Sequence, residues 1–384
     1  MIPYGKQDIN QNDIDAVINV LKSDFLTQGP ITPLFEKRVS EKVGSNFAVA
    51  VNSATSALHI ACLALELGKN DLLWTSPNTF VASANCGLYC GANVDFVDIN
   101  PNTYNICADK LEEKLIHAKK HNKLPNVLVA VHLCGQSPDM ERIHKLSKKY
   151  NFSIIEDASH SIGAKYQNAY VGCCKYSDIT IFSFHPVKII TTAEGGMALT
   201  NDPELHRKMK LFSSHGIVRD NFMQSDDHGS WYYEQIELGY NYRITEIQSA
   251  LGISQLERLD EFVSKRQELA SIYNNRLTDT NLKLPAQIED SYSSFHLYVV
   301  RLRLDNITNS HKYIFEQLKK NGIGVNLHYI PVHTHPFYAN LGFSPKDFPE
   351  SLSYYNEAIS LPIYPNLSEE QQDKICETLK SLIK

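Results

Sequence analysis

Short apolar runs alternate with helical patterns through the first half of the chain, and that alternation restricts the possible folds more than any other feature. Residues 47–51, 72–75, 94–98, 127–133, 154–155 and 179–184 read as strands. Helical periodicity fills the gaps at 57–67, 82–90, 111–120 and 140–149, and one more helical pattern, 14–21, comes first. Strands joined through helices imply right-handed crossovers and a mostly parallel sheet with helices on its faces. The texture changes after a long helical pattern over 245–275. A strand at 297–302, a helix at 314–320, a strand at 325–329 and a last helix at 369–383 suggest a smaller α+β domain. We therefore expect an α/β protein with a large domain over 1–250 and a small one over 251–384.

Composition excludes several functions. A net charge of −6 and the lack of a long basic run argue against nucleic-acid binding. The longest apolar stretch, 127–133, is too short to span a bilayer. Residues 1–6 lack the apolar segment of a secretory leader. The eight cysteines form no CxxC pair, so neither a zinc site nor a disulfide framework is expected, and free thiols fit a cytoplasmic protein. His328, His333 and His335 cluster, but Tyr329, Pro331, Pro336 and Tyr338 beside them suggest a substrate-facing loop and no metal.

Two strand ends carry the chemistry. Strand 154–155 runs into Glu156-Asp157, and strand 179–184 runs into His185-Pro186-Val187-Lys188, followed by Glu194-Gly195-Gly196. A lysine and an aspartate at neighbouring strand ends suit pyridoxal 5′-phosphate: the amine forms a Schiff base, and the carboxylate keeps the pyridine nitrogen protonated. An isolated lysine is ordinarily a surface residue, but Pro186 before it and Ile189-Ile190 after it imply a constrained, partly buried segment. Burial would lower the amine pKa, as nucleophilic attack requires. Ser53 is a plausible cap of the helix after strand 47–51, and that N terminus is a natural phosphate cradle with the small Ala54 at its start, although most capped helices hold nothing. Phe80 could stack on a pyridine face or simply fill a core. His160 could hydrogen-bond the cofactor's phenolic oxygen or a nearby carbonyl, and Ser183 could reach the phosphate. Asn241 and Arg243 stand where a long helix begins, as helix-entry structure or as polar site groups.

These segments resemble the DegT/DnrJ/EryC1/StrS sugar aminotransferases. The matching pieces include Leu26-Thr27-Gln28-Gly29-Pro30, Asn52 to Leu58, Pro77 to Ser83, Glu156 to His160, Ser183 to Lys188, Glu194-Gly195-Gly196, Gly239 to Arg243 and His328 to Pro331, in family order along nearly the whole chain. The resemblance implies the aspartate-aminotransferase fold (fold type I), with a large, mostly parallel seven-stranded sheet. It implies Lys188 as Schiff-base lysine and proton shuttle, Asp157 on the pyridinium, and Ala54, Thr55 and Ser183 on the phosphate. Phe80 and His160 would complete the cofactor site. It also implies a homodimer in which Asn241 reaches the other subunit's phosphate. Tyr4, Gln28, His328 and Tyr329 are the candidates for the sugar side. Ser23 to Gly29 and Thr191 to Gly196 are most similar to the branch that serves pseudaminic acid biosynthesis. That branch moves the amino group of L-glutamate to C4 of a UDP-linked 4-keto-6-deoxy-N-acetylhexosamine, giving UDP-4-amino-4,6-dideoxy-N-acetyl-β-L-altrosamine. The alternative is another nucleotide-linked keto sugar, aminated at C4 or C3.

Rival classes lack their signatures. A nicotinamide oxidoreductase needs a glycine-rich turn after its first strand, and residues 52–57 contain no glycine. No GxSxG elbow supports a hydrolase. A related dehydratase branch has histidine at the Schiff-base position, so Lys188 favours amino transfer, and a non-catalytic relative would not need both Lys188 and Asp157.

Overall fold

The computed structural model describes residues 1–218, 229 and 231–384. Seven strands form the main sheet in the order Phe47–Val51, Gly196–Thr200, Ile179–Ser183, Ser153–Asp157, Val127–Val131, Leu72–Thr75 and Asn93–Phe96. Gly196–Thr200 runs antiparallel to both neighbours, and the other adjacent pairs are parallel. The expected mostly parallel sheet is therefore present. One of its strands, Gly196–Thr200, is missing from the sequence-based assignment. The run Gly-Met-Ala-Leu-Thr is short, opens on glycine and is poor in β-branched residues, so local pattern hides it.

Both faces of the sheet are covered, which explains why its strands read as continuous apolar runs. Val49 and Val51 pack with Ala57, Leu58 and Ala61 of the helix Ala54–Ala64. Ala48 and Ala50 point the other way, into a core with Phe35 and Val39 of the helix Ile31–Val43. Every residue of Val127–Val131 is buried.

The pattern over 245–275 folds as two helices, Glu246–Glu257 and Leu259–Leu277, that meet at Arg258. The Arg258 guanidinium pairs with Asp8 at 2.8 Å and with the buried Asp13 at 2.6 Å, which ties this junction to the N-terminal segment. The smaller sheet joins Leu282–Lys283, Tyr298–Leu302 and Ala358–Leu361. Its core gathers Leu269 and Tyr273 with Ile314, Leu318, Ile375 and Leu379 of the helices His311–Lys320 and Glu369–Leu382, together with Ile2. The strand expected at 325–329 is reduced to one bridge, Asn326 with Ser360. Beyond it the chain turns into a cavity, and His328 and Tyr329 enter the cavity wall. Among the described residues, no helix is long and apolar enough to cross a membrane.

Candidate active site

A cavity of about 930 Å³ opens over the ends of Ser153–Asp157 and Ile179–Ser183 and the start of the helix Ala54–Ala64. Tyr4, Ala54, Thr55, Phe80, Asp157, His160, Ser183, Lys188, His328 and Tyr329 all line it. Gln28 and Asn241, also expected at the site, are exposed and do not line the cavity of their own chain. His333 turns away from it, against the rings of Phe96 and Phe348, so only the first residues of that loop reach the cavity. Ser159, Glu194, Gln248, His296 and Asn326 line the cavity as well. Ser159 and Glu194 lie within stretches already singled out in the sequence, whereas no spacing marks Gln248, His296 and Asn326, which arrive from separate elements.

The helix Ala54–Ala64 begins as its sequence suggests. Ser53 adopts an extended backbone, and its Oγ accepts from the Ser56 amide at 3.1 Å. Ala54, Thr55 and Ser56 line the cavity, so the end of the helix that leaves amides unpaired and carries the positive dipole borders it, a donor set suited to a phosphate. Gly196 makes this geometry possible, because a Cβ there would lie 2.5 Å from the Ala54 nitrogen and 2.6 Å from the Ser53 carbonyl oxygen. Ser183 pairs with Gly196 across the ladder, which brings its hydroxyl to the same wall.

Asp157 ends its strand and is buried. Its Oδ2 accepts from Ser83 Oγ at 2.6 Å, and its Oδ1 accepts from the Ser159 amide at 3.2 Å and Ser159 Oγ at 2.5 Å. Lys188 follows the neighbouring strand. Burial pulls its amine down to about 8, partly opposed by the Asp157 carboxylate. A substantial fraction of this amine is therefore neutral near physiological pH, unlike an ordinary lysine.

The histidines around Lys188 are held neutral. Burial, then the charge of Lys188, pulls His328 down to about 3. The same two causes push His160 well below its usual value. His160 Nε2 lies 3.1 Å from Tyr329 Oη, while its Nδ1 is buried without a partner among the described residues. An orphaned ring nitrogen in this wall is what a cofactor oxygen or nitrogen would satisfy. His296 packs against His160 with ring centroids 4.4 Å apart and is likewise kept neutral, chiefly by burial. His328 is fixed by Ser360 Oγ at 2.8 Å from its Nδ1 and the Asn326 amide at 3.3 Å from its Nε2. Phe80 stands 58% exposed at the cavity wall, its ring centroid 6.1 Å from that of Tyr329.

A partly neutral lysine, a buried aspartate on the adjacent strand and a helix N terminus, on this sheet, are the groups that a pyridoxal 5′-phosphate-dependent enzyme of fold type I requires. The chain belongs to the DegT/DnrJ/EryC1/StrS aminotransferase family, which it matches over residues 7–380. It is 39% identical, over its whole length and 98% of the relative's, to the UDP-4-amino-4,6-dideoxy-N-acetyl-beta-L-altrosamine transaminase of Campylobacter jejuni. Among solved structures, Helicobacter pylori PseC, an aminotransferase of pseudaminic acid biosynthesis, superimposes with a TM-score of 0.90 at 35% identity, covering 100% of this chain and 99% of PseC. Spr1654 of Streptococcus pneumoniae in its PMP form gives 0.90 at 30% identity, covering 100% and 99% of the two chains.

Proposed function

We propose that this enzyme transfers the amino group of L-glutamate to C4 of a UDP-linked 4-keto-6-deoxy-N-acetylhexosamine, in the pathway to pseudaminic acid. The observation that carries the reading is the convergence of Lys188, Asp157 and the amides of the helix Ala54–Ala64 on one cavity, with the Lys188 amine lowered to about 8. The similarity to the C. jejuni transaminase and to PseC supports the sugar substrate.

When bound, pyridoxal 5′-phosphate supplies an aldehyde that carries the amino group and a ring that withdraws electrons. In this reading the amides of Ala54 and Thr55, with Ser183 Oγ, hold the phosphate. Asp157 holds the proton of the ring nitrogen. Phe80 covers one face, and His160 Nδ1 meets a polar cofactor atom. Lys188 Nζ is the covalent anchor and, once free, takes up a proton and returns it. The neutral state of His160, His296 and His328 keeps additional positive charge away from that amine. Tyr4, His328 and Tyr329 form the sugar side, with the Tyr4 and His328 rings 5.4 Å apart. A second copy of the chain completes the site in a homodimer, with Asn241 and Gln28 facing the partner's cavity. The enzyme works in the cytoplasm.

The test is an assay of UDP-linked 4-keto sugars of both C5 configurations with glutamate, with the products assigned by NMR. The expected product is the C4-aminated L-altro sugar. Turnover of only a different nucleotide sugar, or amination at C3, would refute this substrate and establish the alternative nucleotide-sugar reading.

A further inference from the structure

We infer that Ser83, backed by Thr79, is a positioning residue that fixes the Asp157 carboxylate and determines which of its oxygens meets the cofactor. The inference rests on the cofactor reading above. Ser83, Thr79 and Asp157 are all buried, at 0%, 2% and 6% exposure. Ser83 Oγ donates to Asp157 Oδ2 at 2.6 Å, a contact between residues 74 positions apart. Thr79 Oγ1 lies 2.6 Å from Ser83 Oγ. A hydroxyl has one proton, and that of Ser83 goes to Asp157, so Thr79 is the donor in the second bond. The hydroxyls form a directed chain, Thr79 to Ser83 to Asp157.

Ser83 is in the first turn of the helix Ala82–Tyr89, whose N-cap residue Val81 gives no side-chain cap among the described contacts. Serine this early in a helix commonly turns back to the local backbone. Here the side chain reaches outward to the strand end. On the other oxygen, Asp157 Oδ1 takes both the amide and the hydroxyl of Ser159. A carboxylate oxygen has two acceptor positions. Those of Oδ1 are filled, and among the described contacts Oδ2 has one left. Oδ2 is thus the oxygen open to the ring nitrogen's proton, and Ser83 sets its direction.

A residue that merely joined helix to sheet would affect all ligands of the cavity alike. A residue that aims Oδ2 at a ring N–H would affect only ligands that have that nitrogen. The experiment therefore titrates full-length, cofactor-stripped protein with pyridoxal 5′-phosphate and with 1-deazapyridoxal phosphate, in which carbon replaces the ring nitrogen, following protein fluorescence. Ser83→Ala should weaken pyridoxal 5′-phosphate about tenfold, the scale of a hydrogen bond to a charged group, and leave the deaza compound within about twofold. Thr79→Val, which keeps the Ser83–Asp157 bond, should show the same selectivity with a loss of about threefold. If Ser83→Ala fails to fold, the Thr79→Val comparison decides. Equal losses for the two ligands, or no loss for either, overturn the role of Ser83 while leaving the cofactor site intact. Wild-type protein that takes up neither compound overturns the cofactor reading itself, and this inference with it.

Discussion

Replacing Gly196 by alanine should damage the phosphate cradle from behind. Gly196 is paired with Val51 on one side and Ser183 on the other, so its strand cannot shift sideways. An added Cβ would lie 2.5 Å from both the Ala54 nitrogen and the Ser53 carbonyl carbon, all rigid backbone. Ordinary carbon contacts begin near 3.5 Å, so the turn that opens the helix must move by roughly 1 Å. Overpacking of this kind costs about 1–3 kcal/mol of stability. The same displacement misdirects the amides of Ala54 and Thr55. Losing one charge-assisted hydrogen bond costs about 1.5–3 kcal/mol, or roughly ten- to a hundredfold in cofactor affinity. Calorimetry of the cofactor-free protein measures the first effect, and fluorescence titration with pyridoxal 5′-phosphate measures the second. Gly68→Ala is the control, since none of the described residues lies within 4 Å of a Cβ there. Wild-type melting and wild-type affinity in Gly196→Ala would show that the strand and the helix start do not meet as described.

Further outcomes follow from other parts of the structure. Dinitrophenylation of Lys188 in cofactor-free protein should have a pH midpoint near 8, moving lower in Asp157→Asn because that carboxylate raises the amine. A midpoint above 10 contradicts the burial argument. Because the folded-state value lies below the ordinary lysine value of about 10.4, the unfolded chain binds more protons between the two, and this group's contribution to stability rises with pH across that window. Below the folded value its cost is constant. Lys188→Ala should abolish turnover, and borohydride reduction of wild-type holoenzyme should label Lys188 alone; label on another side chain refutes its role. Glu246 is fully buried, and its carboxylate accepts from the Ile31 amide at 2.7 Å, the Thr32 amide at 3.1 Å and Thr32 Oγ1 at 2.6 Å. Glu246→Ala strands these donors at the start of the helix Ile31–Val43 and should cost about 2–4 kcal/mol in urea unfolding, with Glu246→Gln losing less. An unchanged urea midpoint in the alanine variant counts against that cap.

The sequence by itself determined the alternation of strands and helices, the Ser53 cap, and the placement of Lys188 and Asp157 just past apolar runs. These features depend on contacts between residues a few positions apart, where side-chain period and capping chemistry leave a readable trace. The same local logic misled at 325–329, where Val-Asn-Leu-His-Tyr alternates like a strand but only Asn326 bridges to Ser360. Tertiary structure alone decided the rest. It brought Ser83 onto Asp157 across 74 residues and Tyr329 onto His160 across 169. It set His296 against His160 and turned His333 into the core, and it left Gln28 and Asn241 facing outward. It also set how far the Lys188 amine falls: the flanking Pro186 and Ile189-Ile190 suggested partial burial, but the extent of desolvation depends on what surrounds the charge in space.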